Sequence, residues 1–304
     1  MKGQTSREAG AHMNDGRTLC VIIHYGDEHY TWDCVESIAC LEFLDIIIAD
    51  NDPSQIIEVP QQYKGRVRLY RTGGLAGFAQ ANNMAVRAGR ATEHTSLLLL
   101  NNDMLVLPGA VERLRDLLAK DRVGAAGPCM PFASHPERIW ACGGVIKKFR
   151  ATIDGLTKIQ KAGPYDVDYL PGAAILCRLD AWDLVQGLPE KYFLAMEEAE
   201  FALRIRKCGY AVMVDPAAKI LHRVGMSSDR QPMYLYNGVR NRLKFGMFLW
   251  GAAPGFVLAG FWTLLSMSRH TRGCALWSRA VRDELRGAAL DKMILQDIKN
   301  SFGS

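Results

Sequence analysis

A run of four leucines, Leu97 to Leu100, stops abruptly at Asn101-Asn102-Asp103. Asp103 is the one charge between Ser96 and Pro108. A carboxylate on a rigid, otherwise apolar element suits a hard cation such as Mg²⁺ or Mn²⁺, which prefers oxygen ligands. The same triplet also suits a plain turn at a strand end. A second cluster, Asp50-Asn51-Asp52-Pro53, closes another apolar run and carries the same two readings. A third, Glu197, Glu198 and Glu200, opens a helix-like run that finishes in Arg204, Arg206, Lys207 and Gly209. Clustered carboxylates raise one another's proton affinity. The polarity of the run also complements a helix dipole, and Glu200 to Arg204 is a favourable i,i+4 pair, so a purely structural role is open as well.

These groups need a scaffold. Leu19 to His24, Asp45 to Ala49, Val67 to Tyr70 and Leu97 to Leu100 have the character of short buried strands. Tyr30 to Leu41, Gly77 to Gly89, Val111 to Ala119 and Phe193 to Gly209 have that of helices. Strands alternating with helices predict an α/β fold with a mixed, mostly parallel sheet covered by helices on both faces. Both clusters at strand ends then fall on one rim, where such sheets bind nucleotides. Between Pro128 and Ile220 the pattern is less regular; Trp140 to Gly144 and Tyr169 to Ala173 look like loop-to-strand junctions.

With 304 residues, 49% of them hydrophobic, the chain can build one large domain or a domain with an appendage. A net charge of +5 suits anionic substrates or an anionic membrane surface and is too small to imply nucleic acid. The eight cysteines form no CxxC pair, which argues against a zinc site or disulfide framework and fits a reducing, cytoplasmic setting. Residues 1–16 are polar, lack the apolar core of a signal peptide, and are expected to be a disordered tail.

The C-terminal part differs. Phe245 to Ser268 is 24 residues without a charged side chain, interrupted by Gly251, Pro254, Gly255 and Gly260. An Arg-rich stretch, Arg269 to Arg286, follows. The alternatives are a membrane span, an interfacial hairpin broken at Pro254, or a buried packing helix; attachment to an anionic bilayer surface is the favoured expectation.

Taken in order, the motifs resemble family 2 glycosyltransferases of the GT-A fold, especially their rhamnosyltransferase-like branch. The matching pieces are Val21-Ile22-Ile23-His24-Tyr25-Gly26, Ile48-Ala49-Asp50-Asn51-Asp52, Gly77-Phe78-Ala79-Gln80-Ala81-Asn82-Asn83 and Leu99-Leu100-Asn101-Asn102-Asp103. They continue with Pro171-Gly172-Ala173-Ala174, Phe193 to Glu200, Leu203 to Tyr210, His222-Arg223 with Ser227, and Tyr236 with Arg240-Asn241-Arg242. The sequence departs from the pattern at Gly26, where Asn is usual, at Gln80-Ala81, which replace two glycines, and at Glu198, which replaces Asp.

The resemblance implies an inverting, metal-dependent transferase that moves a sugar from a nucleoside-diphosphate donor, with rhamnose from dTDP-rhamnose as first guess. The acceptor would be lipid-linked or polysaccharide, and the setting the inner face of a bacterial plasma membrane. It assigns His24, Tyr25, Asp50, Asn82, Asn83, Asn101, Asn102 and Arg240 to the donor. Trp140, Gly172, Ala173 and Glu197 fall on the acceptor side, Asp103 and His222 to the divalent cation (Mg²⁺ or Mn²⁺), and Glu198 to the general base. The corresponding division is a GT-A domain over 17–243, with a nucleotide-sugar half of about 17–125 and an acceptor half of about 126–243, and a hydrophobic, basic helical region over 244–304. A nucleotidyltransferase, or a binding-only relative, is the alternative, and a homo-oligomer is compatible with either.

Overall fold

In the computed structural model, which describes residues 16–223, 231–267 and 274–287, the apolar runs become the centre of a ten-stranded sheet. Strands β1 (Arg17–His24), β2 (Leu44–Asp50), β3 (Val67–Arg71) and β4 (His94–Asn101) alternate with helices α1 (Glu28–Ile38) and α2 (Phe78–Gly89). Their side chains divide by parity between two cores. Leu19, Val21, Ile23, Leu97 and Leu99 enter one; Cys20, Ile22, Leu98 and Leu100 enter the other. Burial on both faces explains why these strands are continuous apolar runs rather than alternating ones.

The middle of the chain supplies β5 (Met104–Val106), α3 (Ala110–Leu118), β6 (Val123–Pro131), β7 (Ile139–Ala141), β8 (Gly144–Lys147), β9 (Thr152–Gly155), β10 (Tyr165–Asp166) and β11 (Ala174–Arg178). Helices α4 (Leu179–Val185) and α5 (Glu197–Lys207) and strand β12 (Ala211–His222) follow. The path runs β10-β12-β6-β11-β4-β1-β2-β3, with β5 on β12 and β7 on β6, while β8 and β9 form a separate hairpin. Strands β1 to β4, β6 and β12 point one way, and β11 runs antiparallel between β4 and β6. The carboxyl ends of the parallel strands and the start of β11 therefore share one rim, which carries His24, Asp50, Asn101, Ala173 and His222.

The expected helix from Phe193 begins instead at Glu197. Ala195 and Met196 adopt the left-handed conformation, at φ 72° and 76°, and hold Phe193 to Met196 out of the helix. Tyr30 to Leu41 becomes a helix from Glu28, begun by Asp27, whose carboxylate accepts from the His29 amide at 2.9 Å.

The uncharged stretch from Phe245 to Met267 is not one rod. Helix α6 (Gln231–Trp250) ends at Gly251, which has φ 88°, and α7 (Ala252–Met267) begins after it. The break falls at Gly251, not at Pro254, because a proline in the first turn of a helix forfeits no intrahelical hydrogen bond. The two helices close on each other at Gly246 and Gly255, where a Cβ on Gly255 would lie 2.3 Å from the Gly246 carbonyl oxygen. No described helix is long and apolar enough to cross a membrane. Helix α8 (Cys274–Leu285) is tied to α6 by Arg240–Glu284 at 2.9 Å and by the Tyr236 hydroxyl donating to Asp283 at 2.6 Å. Ser227, Ser268 and most of the expected N-terminal tail lie outside the described residues.

Candidate active site

The rim gathers residues that are distant in the chain. Met104, one residue past Asp103, pairs with His222 across β5 and β12, bringing the Asp103 carboxylate to 3.3 Å from His222 Nε2. Asp103 Oδ1 and His222 Nδ1 are buried and, among the described residues, have no hydrogen-bond partner. Buried polar atoms are almost always paired, so a carboxylate that keeps one oxygen bare while the other faces His222 Nε2 fits a cation site. No group of three or more His, Cys, Asp or Glu side chains suited to a metal occurs among the described residues. A two-residue set suits a cation that keeps waters and takes its other ligands from substrate phosphates, as Mg²⁺ commonly does.

Two further links reach the acidic cluster. The Asn101 amide donates to the Ala173 carbonyl at 2.9 Å, fixing the Pro171-Gly172-Ala173 junction beside the end of β4. The next amide back, that of Gly172, donates to Glu198. Gly172 also packs against Phe78, whose ring a Cβ there would meet at 3.2 Å. Glu198 is 8% exposed, and its Oε2 has no partner among the described residues. Burial pushes its carboxyl up to about 7, against opposing hydrogen bonds from the Glu198, Met196 and Gly172 amides. That value suits a general base near neutral pH.

The three glutamates have separate fates. Burial first, and then Glu198, push Glu197 well above the usual carboxylate range, although its Oε1 accepts from the Ala195 amide at 3.1 Å. Glu200, which is fully buried, is met on both oxygens: by Arg204 at 2.5 Å, Lys191 at 2.7 Å and the Tyr192 hydroxyl at 2.5 Å. Its role is structural.

The turn that delivers Glu197 and Glu198 is held from two sides. The Phe78 amide donates to the Phe193 carbonyl at 2.7 Å, and Asn241 Nδ2 donates to the carbonyls of Leu194 at 2.6 Å and Ala195 at 2.9 Å. Backbone strain of the kind seen at Ala195 and Met196 persists where surrounding structure over-determines it. Asn241 gives no sequence signal of this role, because a lone amide between Arg240 and Arg242 carries no motif of its own. No glycine or asparagine marks the left-handed pair, so that turn had no sequence signal.

On the nucleotide half, Asp50 is buried with Oδ1 unpartnered among the described residues and Oδ2 3.9 Å from Arg71. Asn51 shapes the following loop, accepting from the Ala76 amide and the Thr72 hydroxyl at 2.9 Å each. His24 is fully buried, bonds Thr31 Oγ1 through Nδ1 at 2.7 Å, and is biased by burial toward its neutral form. Tyr25 is 37% exposed beside it, and Asn102 donates to its carbonyl at 3.3 Å and to Thr31 at 3.1 Å. Asn82 keeps a bare, buried Oδ1 among the described residues.

Two donor-side expectations are redirected. Asn83 is consumed by the Leu188 backbone and by Glu190, at 2.8 Å, so it anchors a loop. Arg240 is 4% exposed and committed to Glu284 and Tyr236, so it ties helices together. On the acceptor side, Trp140 meets the His222 ring edge-on at 4.2 Å. It forms part of the wall of a groove of about 720 Å³ that Phe132, Arg138, Lys158 and Ile159 also line.

Residues 19–181 match the model of glycosyl transferase family 2. An N-acetylglucosaminyl-diphospho-decaprenol L-rhamnosyltransferase of Mycobacterium tuberculosis is 28% identical over 222 residues, 64% of this chain and 72% of that protein. The rhamnosyltransferase WbbL of Escherichia coli K12 is 26% identical over 220 residues, 66% of this chain and 81% of that one. Among solved structures, GalNAc-T7 with UDP, GalNAc and Mn²⁺ aligns with TM-score 0.61 at 14% identity, over 95% of this chain; this chain spans 58% of that one. The mannosyltransferase PcManGT of Pyrobaculum calidifontis, in complex with GDP-Man and Mn²⁺, aligns with TM-score 0.55 at 12% identity, over 98% of this chain and 86% of that one. The structural neighbours share the GT-A fold. The ordered motifs, the parallel rim and the matched residues lead to one assignment: the chain is a glycosyltransferase that belongs to glycosyl transferase family 2.

Proposed function

We propose that the protein transfers a sugar, with inversion, from a nucleoside-diphosphate donor to a lipid-linked or polysaccharide acceptor at the inner face of a bacterial plasma membrane. L-Rhamnose from dTDP-rhamnose is the first candidate donor, supported by the two rhamnosyltransferase relatives. One observation carries the reading. A half-satisfied aspartate–histidine pair and a half-satisfied glutamate of raised proton affinity are joined through the single junction Gly172-Ala173.

Asp103 and His222 are the residues that would hold a divalent cation, supported by Mn²⁺ in the solved neighbours. When bound, it supplies Lewis acidity to the departing diphosphate. Asp50 and Asn82 present bare acceptors to the nucleoside. Glu198 takes the proton from the acceptor hydroxyl, whose oxygen bonds to the anomeric carbon as the carbon–phosphate-oxygen bond breaks. One displacement with one base inverts the centre. Trp140 offers an aromatic edge toward the acceptor beside His222.

A panel of nucleotide sugars screened by thermal stabilisation identifies the donor, because a ligand that binds the folded state raises its stability. dTDP-rhamnose with Mg²⁺ is expected to give the largest shift. Loss of that shift in Asp103→Ala, together with retained donor binding but no transfer in Glu198→Gln, supports the assignment. Transfer by Glu198→Gln at the wild-type rate overturns it.

A further inference from the structure

Helix α7 is built inside out. Its small residues Gly255, Ala259 and Thr263 are buried and Phe256 packs on the core, while four of its large residues point the other way. Val257, Phe261, Leu264 and Leu265 are 70, 51, 53 and 46% exposed. At 100° per residue these four fall within one arc, opposite the small residues. Folding in water normally buries the large apolar side chains, since these contribute most on transfer. A helix that exposes them as a stripe is made for a second apolar phase.

The edge of the stripe is cationic. The 3₁₀ turn Lys148–Arg150 packs against α7, with Phe149 67% exposed and its ring 5.4 Å from that of Trp262. The Arg150 guanidinium lies 5.1 Å from the same indole, Lys148 is exposed beside it, and Lys147, also exposed, is paired with Asp154. Arg242 donates to the Arg150 carbonyl at 2.9 Å. No carboxylate occurs between Phe245 and Ser268, while Asp283 and Glu284 of α8 are engaged by Tyr236, Arg240 and Lys244 of α6.

We infer that the outer face of α7, with the Phe149 turn, lies on an anionic lipid bilayer. The apolar side chains of the stripe and Phe149 enter the acyl boundary, and Lys148 and Arg150 meet lipid phosphates. A second copy of the chain fits less well, since its own cations would meet these ones across a two-fold contact. The inference deepens the membrane part of the proposed function, and it rests on that reading only for the acceptor's being lipid-borne.

The test is co-sedimentation of the full chain with vesicles of phosphatidylcholine, alone or with about 30% phosphatidylglycerol to supply an anionic surface. The wild type is expected on the anionic vesicles and not on the neutral ones. Phe261→Ser/Leu264→Ser is expected to weaken that binding by about tenfold or more, and Lys148→Glu/Arg150→Glu to abolish the anionic preference. Both variants must keep the wild-type circular dichroism and unfolding midpoint. If either unfolds, Phe149→Ser, in an exposed turn, carries the test, again by weakened binding. Wild type that stays in the supernatant with both vesicles overturns the inference. So does a folded Phe261→Ser/Leu264→Ser that sediments as well as wild type, or a dimer in light scattering that this variant dissolves. Vesicle binding is read without donor or acceptor, and transfer to a water-soluble acceptor is measured separately. Failure of transfer therefore bears on the proposed function and leaves the face standing.

Discussion

The two ends of the sheet treat charge in opposite ways. At the amino ends of β1, β2 and β4, Asp45 receives Arg17 through both oxygens, at 2.6 and 2.7 Å, and His94 at 2.8 Å. Thr18 and Ser96 pair beside them at 2.7 Å. At the carboxyl ends, Asp50, Asn82, Asp103, Glu197, Glu198 and His222 each leave a buried polar atom bare among the described residues. Both ends use side chains of similar chemistry. One satisfies them internally and gains stability; the other leaves them short of partners, a cost of about 1–3 kcal/mol per group that a ligand can recover. Deficit, more than residue type, marks the candidate site, although Arg206, Asn237 and Trp262 also keep a bare buried nitrogen elsewhere among the described residues. The three glutamates of α5 repeat the lesson within a single turn, where Glu200 is saturated and Glu198 is not.

The strongest way to break this contrast is Glu198→Gln, expected to lower kcat by about 10³-fold, roughly 4 kcal/mol in the barrier, with donor affinity kept. The same residue sets two pH trends. Transfer is expected to rise through about pH 7 as the base ionises. Because its folded pKa lies above the unfolded value of 4.5, ionising Glu198 destabilises the fold. Glu198→Gln is therefore expected to melt higher than wild type at pH 8 and to converge with it below about pH 4.5. A pH–rate profile and parallel melts check both.

Next is Asp103→Ala, for which a donor affinity loss of about 100-fold, roughly 2.7 kcal/mol, is expected. The remaining binding should no longer respond to a chelator; calorimetry with and without one decides this. At the opposite end, Asp45→Asn should spare kcat and cost about 2 kcal/mol of unfolding free energy at pH 7. Asp45 is held near 2 by its Arg17 hydrogen bonds, so that stability is present above about pH 4 and fades as pH falls through about 2. Urea unfolding at several pH values measures it. An equal loss of kcat in Asp45→Asn would erase the distinction between the two ends. The smallest effect is expected at Asn241→Ala: about a tenfold fall in kcat with donor Kd unchanged, because the Leu194–Ala195 turn that aims Glu198 loses its clamp.

Much of the donor rim was legible. An apolar run that halts in Asn-Asn-Asp marks both a buried strand and its exit, since the period and the break are local facts. Strand β6 was harder, because Val123–Pro131 is rich in Gly, Ala and Pro and has Val123 as its one β-branched residue, though every residue in it is buried. The start of α5 was misplaced by four residues, because the left-handed Ala195 and Met196 are imposed by Asn241 and Phe78 from elsewhere. The hairpin of α6 and α7 was foreseen as one option, but its corner turned on Gly251 rather than Pro254.

The order of motifs and the alternation of strands and helices sufficed for the family and the layered sheet, because each depends on neighbours within a few residues. Which carboxylates are left wanting depends on partners far along the chain. Asp103 and His222 are 119 residues apart, and Glu198 is linked to them through the backbone of Gly172 and Ala173. Sequence lists the groups that can carry charge; packing alone sets how much water and how many hydrogen bonds each one keeps, and that balance decides its chemistry.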